Sequence, residues 1–459
     1  MTRISERKVQ SRTAGRDHAK SLESQLDAFQ CPQISLQGEV TRSVSTNWQQ
    51  IAIPRFFADY VSQSNMFTKG NFRFLPDIYN QRMSSPHFDE ALRAVAFMSL
   101  ANQLGKDDLS VEARKLYGSA IVRVATQLHN VEGAIDDTVI ASSLLFSLFE
   151  MISIKAVPKG FWNVVHDFGR ISLLRARGKQ KSSSSVVMNL FSLVLVHHMI
   201  KCISSHTNPR EELLLWIDQS RSQDVDRSGP CVQFLKCSWG IAKFCATAQV
   251  LFDSTKRDEQ WVLNLLQLVK GGIAIEKACE EWSDSTLRES AEWSYKACRL
   301  RFIGAKISQK YPPYFYHDTY VAWTWNYFRA CRIRLHEVLL HCITLIQSHP
   351  RVQSLSLDPK ITSKESRSII AEMVFDICCS TYFCVGQINS EGEPRTQRPM
   401  PHWGYQALWP FYVAMISAEE GSESKAWFQD KLEYITKSMG IELAGMLAKM
   451  QNTDPWDIR

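Results

Sequence analysis

The stretch "DDTVIASSLLFSLFEMIS", residues 136–153, decides the fold. Asp136 and Asp137 open it with the short acceptor side chains that favour a helix start. After them, apolar residues fall on nearly every face of a helix of period 3.6. A helix that is apolar all round is a buried one. This segment is therefore expected at the centre of a helical core, with Leu144, Leu145, Leu148 and Phe149 inside.

The neighbouring segments carry the same period. "FDEALRAVAFMSLANQLG" (88–105) follows the start signal Ser84-Ser85-Pro86 and stops at Gly105, a C-cap glycine. "SVEARKLYGSAIVRVATQLHN" (110–130) spaces Leu116, Ala120, Val124 and Leu128 four apart, on one face. "VVMNLFSLVLVHHMI" (186–200) is short for a membrane span and holds His197 and His198, which predicts a buried helix. "EQWVLNLLQLVKGG" (259–272) predicts a helix ending at its glycine pair. Later helices are read over 322–348, 366–386 and 424–440. Polar breaks rich in turn residues fall at 178–185, 218–230, 349–366 and 388–401. No period-two alternation is sustained, and no strand–helix–strand rhythm appears. The expected fold is all-α: a large irregular multi-helix domain over residues 47–459, preceded by a basic, disordered tail over residues 1–46. No residue-level repeat argues for a solenoid.

Composition bounds the function classes. The chain has 459 residues, 45% of them hydrophobic and 22% charged, which suits a folded protein with a large core. A net charge of +6 is a mild basic bias. Arg3, Arg7, Lys8, Arg12, Arg16 and Lys20 stand in the tail against Glu6 and Asp17, so weak, non-specific nucleic-acid contact is the most it implies. Of twelve cysteines, only Cys31 precedes residue 200, and no CxxC units repeat. Reduced, buried thiols in an intracellular protein are expected. The opening twenty residues lack the apolar core of a secretion signal. No membrane partner is expected.

Each chemical motif has a plainer reading beside it. His336 and His341 in "HEVLLH" resemble a zinc-protease signature but lie five apart, about 140° around a helix, and cannot share a ligand face. Asp136-Asp137 lacks the third aspartate of a DDxxD motif, and Ile140 stands in that place. No phosphate loop, dinucleotide fingerprint or nucleophile elbow is present, so no cofactor and no metal are expected. The densest candidate is "FWNVVHDFGRISLLRARGKQK" (161–181). His166 beside Asp167 is a candidate general base for an enzyme. The structural alternative sets Trp162, His166 and Gly169 on one helical face, with Gly169 admitting a neighbouring helix and Gly178 ending the segment. "PHWGYQALWPFYVAMIS" (401–417) raises the same choice around His402: a buried aromatic wall, with Pro410 kinking or starting the helix, or a ligand cavity.

Trp162-x3-His166-x2-Gly169, followed by Leu173-Leu174 and Arg177-Gly178, resembles a segment of the fungal-specific transcription factor domain. Three further stretches resemble that family in the same order: 88–128, the "WNYFRACRIRLHEVLL" helix with Trp325, Asn326, Arg329 and Arg332, and "GYQALWPFYVA" with Trp409 and Pro410. The resemblance implies a helical regulatory domain in a nuclear protein, with these residues structural. It implies other regulatory proteins or a small hydrophobic effector as partners, and allows a homodimer. The six-cysteine zinc cluster of that family has no counterpart among residues 1–200. The alternative is a cytoplasmic enzyme or accessory protein that reuses the scaffold for a hydrophobic metabolite, through His166, Asp167 or His402. The sequence leaves the presence of an enzymatic activity open.

Overall fold

In the computed structural model, residues 47–61, 72–81, 85–129, 137–154, 167–177, 185–214, 230–289, 291–297, 310–349 and 363–450 are described. They form an all-α fold. The helices are α1 (Trp48–Tyr60), α2 (Leu75–Gln81), α3 (Pro86–Leu104), α4 (Asp107–Leu128), α5 (Asp137–Ser153), α6 (Asp167–Arg177) and α7 (Ser185–Ser205). They continue with α8 (Pro230–Phe252), α9 (Glu259–Glu289), α10 (Thr319–Ser348), α11 (Ser363–Cys384), α12 (Pro401–Ser417), α13 (Glu423–Met439) and α14 (Glu442–Ala448). The chain divides into two units, Met1–Asn47 and Trp48–Arg459, and every helix named belongs to the second. The expected tail, residues 1–46, lies outside the described residues.

Local chemistry sets most of the boundaries. Pro86 takes the first position of α3, where its missing N–H is no loss, and Gly105 ends the helix at φ 64°. Asp318 caps α10 by accepting from the Val321 N–H at 2.9 Å. Gly440 closes α13 at φ 72°.

Helix α5 is buried from Thr138 to Phe149 and lies against α3, α4, α6, α7 and α14. Its serines do not waste their hydroxyls. Ser142 and Ser143 donate to the carbonyls of Thr138 and Ile140, both at 2.7 Å. Ser147 Oγ accepts from Arg170, which is itself buried on α6, at 2.6 Å. A polar group left unpaired there would cost several kcal/mol, so these bonds let serines sit in the core.

Four expectations need correction. Helix α9 does not end at Gly271-Gly272 but runs on to Glu289. Gly272 serves packing instead: a Cβ there would stand 2.7 Å from Leu339 of α10 and 2.9 Å from Phe244 of α8. On α4, Ala120 and Val124 are buried but Leu128 is 40% exposed. A four-residue step advances about 400°, so the face drifts about 40° per step and turns outward by Leu128. Gly169 is exposed, and a Cβ there would meet nothing within 4 Å among the described residues, so none of the described helices uses it for a close approach. Finally, a short antiparallel hairpin exists, β1 (Tyr295–Ala297) with β2 (Tyr314–Tyr316), in register Tyr295↔Tyr316. Three-residue strands are too short to show a period of two.

Helix α12 is the common wall. Every residue from Pro401 to Ile416 is buried, and the helix touches α1, α10, α11, α13 and α14. Pro410 neither starts it nor stops it; it lies inside, leaving the Gln406 carbonyl without its helical N–H donor. No described helix is long and apolar enough to cross a membrane.

Candidate functional site

Two places hold several of the residues singled out from sequence. The first is a buried line of charge along α10. Arg329 is 1% exposed. Its Nη1 donates to Tyr316 Oη at 2.8 Å and to Asn326 Oδ1 at 2.9 Å, and its Nε lies 3.3 Å from Asp376. The guanidinium also stands over the rings of Tyr295, Tyr314 and Trp325, at 4.9–5.8 Å. Burial works against its charge, but Tyr316 and Asp376 outweigh it and hold the pKa above the ordinary arginine value. The hairpin completes this cage: Tyr295, Tyr314 and Tyr316 supply three of the four rings around Arg329, and Trp325 is the fourth.

One turn on, Arg332 pairs with Glu276 of α9 through two nitrogens. His336 Nε2 lies 3.0 Å from the same carboxylate, at ion-pair distance though off the hydrogen-bond direction, and its Nδ1 meets Ser366 Oγ at 3.2 Å. Burial pushes the Glu276 carboxyl up, and the His336 and Arg332 partners overcome it, leaving the pKa below the usual carboxylate range. Arg334 points the other way, to Glu337 at 2.5 Å and to His206 at 3.2 Å. Arginine suits such burial because its planar fork pairs two oxygens at once. These groups tie α9, α10 and α11 together. His341 packs its ring edge-on against Phe252 at 4.5 Å, so the two histidines of "HEVLLH" do separate work.

The second place is an apolar cleft between α5, α7, α10 and α12. Its walls include Met151, Leu193, Val196, Ile200, Leu408 and Trp409, with Trp323, Gln406 and Pro410 at the side. Tyr405 and His197 bring polarity to it, joined Oη to Nε2 at 2.8 Å. Burial raises the Tyr405 phenol well above its ordinary pKa, so it stays a neutral hydrogen-bonding group. Trp409 donates its indole N–H to Ser204 Oγ at 2.9 Å. The free space is about 50 Å³, enough for an alkyl end or part of a ring and far less than the roughly 300–1,000 Å³ of a drug-sized pocket.

The structure does not bring the sequence candidates to one point. Trp162, His166 and Gly178 lie outside the described residues, as do the side chains of Asp167 and Arg177. His402 is buried beneath α1, with Nδ1 donating to the Asp59 carbonyl at 3.0 Å. Burial drops its pKa to about 4, which keeps the ring neutral. It is not among the cleft's walls. Trp325, Asn326, Arg329 and Arg332 share the α10 line, while Trp409 and Pro410 border the cleft. Sequence reading missed Glu276, His206 and Asp59. Each is an ordinary polar residue in its own segment, and only contacts dozens to hundreds of residues away give it a role. Among the described residues, no three His, Cys, Asp or Glu side chains converge to hold a metal ion. No family model matches the chain, and no curated protein and no solved structure matches it.

Proposed function

We propose that this chain is a transcription-regulator-like protein that works through its helical domain, in a fungal metabolic or secondary-metabolite pathway. The observation that carries the reading is the half-open apolar cleft beside α12, with a Tyr405–His197 pair at its wall. It suits a small hydrophobic effector that inserts an alkyl or aryl end and offers one hydrogen-bonding group to the pair. The resemblance of the α10 and α12 segments to the fungal regulatory domain supports the same reading. So does the locking of Arg329 and Arg332 into ion pairs, which gives the resembling residues a structural part. Nuclear location and contacts with other regulatory proteins belong to the proposal.

The test tethers the full chain to a heterologous DNA-binding domain upstream of a reporter. The expected result is altered reporter output that Val196→Trp abolishes, because the larger ring fills the cleft. Protein abundance and Tm of the variant must match wild type for the comparison to count; Val196→Phe is the second choice if they do not. Unchanged reporter output from the wild-type fusion refutes the reading. So does a metabolite whose conversion depends on this chain.

A further inference from the structure

Helices α8 and α9 pass each other in opposite directions with a constant register. Phe234 packs on Trp282, ring centroids 5.2 Å apart. A Cβ on Gly240 would meet Ile275 at 3.7 Å, and one on Gly272 would meet Phe244 at 2.9 Å. Six and then four residues forward on α8 are answered by seven and then three back on α9. Midway between the first two of these contacts stand Cys237 on α8 and Cys279 on α9.

Cys237 Sγ donates to the Ala278 carbonyl at 3.9 Å, beside Cys279, and each thiol shifts the titration of the other. Disulfide closure needs Cα atoms about 4.4–6.8 Å apart with their Cβ atoms turned inward. A Cys237 sulfur within 3.9 Å of the Ala278 carbonyl shows how closely the helices approach at this level, and Gly240, one turn away in the same seam, has no side chain to hold them apart.

The sulfurs are not equivalent. Cys279 is fully buried, whereas Cys237 is partly exposed. The neighbouring Cys279 lowers the Cys237 pKa, and the neighbouring Cys237, together with burial, raises that of Cys279. A reachable thiol of lowered pKa facing a buried partner is the arrangement in which a first sulfur is oxidised and a second resolves it.

We infer that Cys237 and Cys279 form a redox-active dithiol whose oxidant is a hydroperoxide. The Cys237 thiolate attacks the terminal peroxide oxygen. The O–O bond breaks, the leaving oxygen takes a proton to become water or an alcohol, and Cys237 becomes a sulfenic acid. The Cys279 sulfur then attacks Cys237 Sγ. The S–O bond breaks, the Cys279 proton leaves with the hydroxide as water, and a disulfide joins α8 to α9. Two electrons pass from the two sulfurs to the peroxide. The new bond lies one turn from Glu276, so it fixes the helix that carries the buried ion pair to Arg332.

The experiment treats the full-length protein with hydrogen peroxide, blocks remaining thiols with iodoacetamide, and digests with trypsin without reductant. Cys237–Lys243 and Ala278–Arg288 are separate tryptic peptides with one cysteine each. After peroxide they are expected as one disulfide-linked species, lighter by two hydrogens than their sum and released by reductant. In Cys279→Ser, or Cys279→Ala if the serine variant does not fold, Cys237 is expected to stay as sulfenic acid and to be trapped by dimedone. Recovery of both wild-type peptides as alkylated thiols overturns the inference. So does a Cys237 linked to some other cysteine, or over-oxidised while Cys279 remains free. None of these outcomes depends on the effector cleft.

Discussion

Removing Glu276 strands two buried partners at once, the Arg332 guanidinium and the His336 ring. Glu276, Arg332 and His336 are 3%, 8% and 0% exposed. In Glu276→Ala the Arg332 guanidinium loses both of its hydrogen bonds to the carboxylate and keeps a 3.7 Å contact to Met373 Sδ and the face of the Phe328 ring, neither of which carries an opposite charge. Breaking a buried pair from one side costs about 3–5 kcal/mol, because the surviving charge stays out of water. Unfolding entropy near 2 cal/mol/K per residue makes that a Tm fall of roughly 5 °C for a unit of this size. Glu276→Gln, which keeps hydrogen-bonding atoms but no charge, should fall less. The double variant Glu276→Leu/Arg332→Met should recover most of the loss, since apolar groups of similar volume replace the pair without a stranded charge. The pH dependence adds a second check. The folded pKa of Glu276 lies below its ordinary 4.5, so the pair contributes fully above that value and is lost as pH falls through the folded one. Wild-type stability should therefore drop in acid below about pH 4.5, and drop less steeply in Glu276→Gln. Thermal melts followed by far-UV circular dichroism across pH 3–7 measure both. Equal Tm values for wild type and Glu276→Ala would refute the account of α10 as a line of paired charges.

His402 gives a slope of the opposite origin. Its pKa falls from 6.5 to about 4 on folding, so the unfolded chain binds the proton first, and between those values stability should fall by ~3 kcal/mol as pH drops. Urea unfolding of His402→Gln should lack that slope; an identical pH profile would show the ring is not buried neutral. Leu145, at 0% exposure on α5, should not tolerate a carboxylate: Leu145→Asp costs several kcal/mol and should leave the protein in the pellet. A soluble variant with the wild-type Tm would place α5 at the periphery. Gly386 adopts φ 72°, and a Cβ there would sit 1.9 Å from the Trp403 ring. Gly386→Ala should lower stability by about 2–4 kcal/mol in a denaturant titration, from the left-handed backbone and the displaced indole together. A loss under 1 kcal/mol would mean that the turn relaxes freely.

What the sequence made legible was local. The start and stop of α3 stand in Pro86 and Gly105, and the central place of α5 follows from its lack of any polar face. The α10 helix was legible in its own segment, whereas the stretch of α12 left a choice between a buried aromatic wall and a ligand cavity. The pair Gly271-Gly272 misled because glycine serves two purposes, ending helices and letting helices touch, and only the approach of Phe244 and Leu339 separates them. The polar partners stayed hidden for another reason. Asp59 meets Arg398 across 339 positions, and Arg332 meets Glu276 across 56. In its own segment each of these residues looks like ordinary surface charge, and burial is a property of the assembled core. The cleft shows the same limit: its walls come from four helices, so "GYQALWP" could suggest it but not enclose it.

The burial of α12 has a consequence for how the protein is made. A helix whose every face is covered by others cannot be added to a finished core; the others are finished by it. His402 reaches back 343 residues to the Asp59 carbonyl, and Tyr405 reaches back 208 to His197. Until residue 417 has left the ribosome, α1, α5, α7 and α10 present to the cytosol the apolar sides that α12 and its neighbours will cover. Loop closure over such distances is slow, and chains that must wait for it are exposed to aggregation meanwhile. The nascent chain should therefore depend on chaperones late rather than early in synthesis. Slowing translation after α12 has emerged should improve its yield, whereas slowing it before α12 should not.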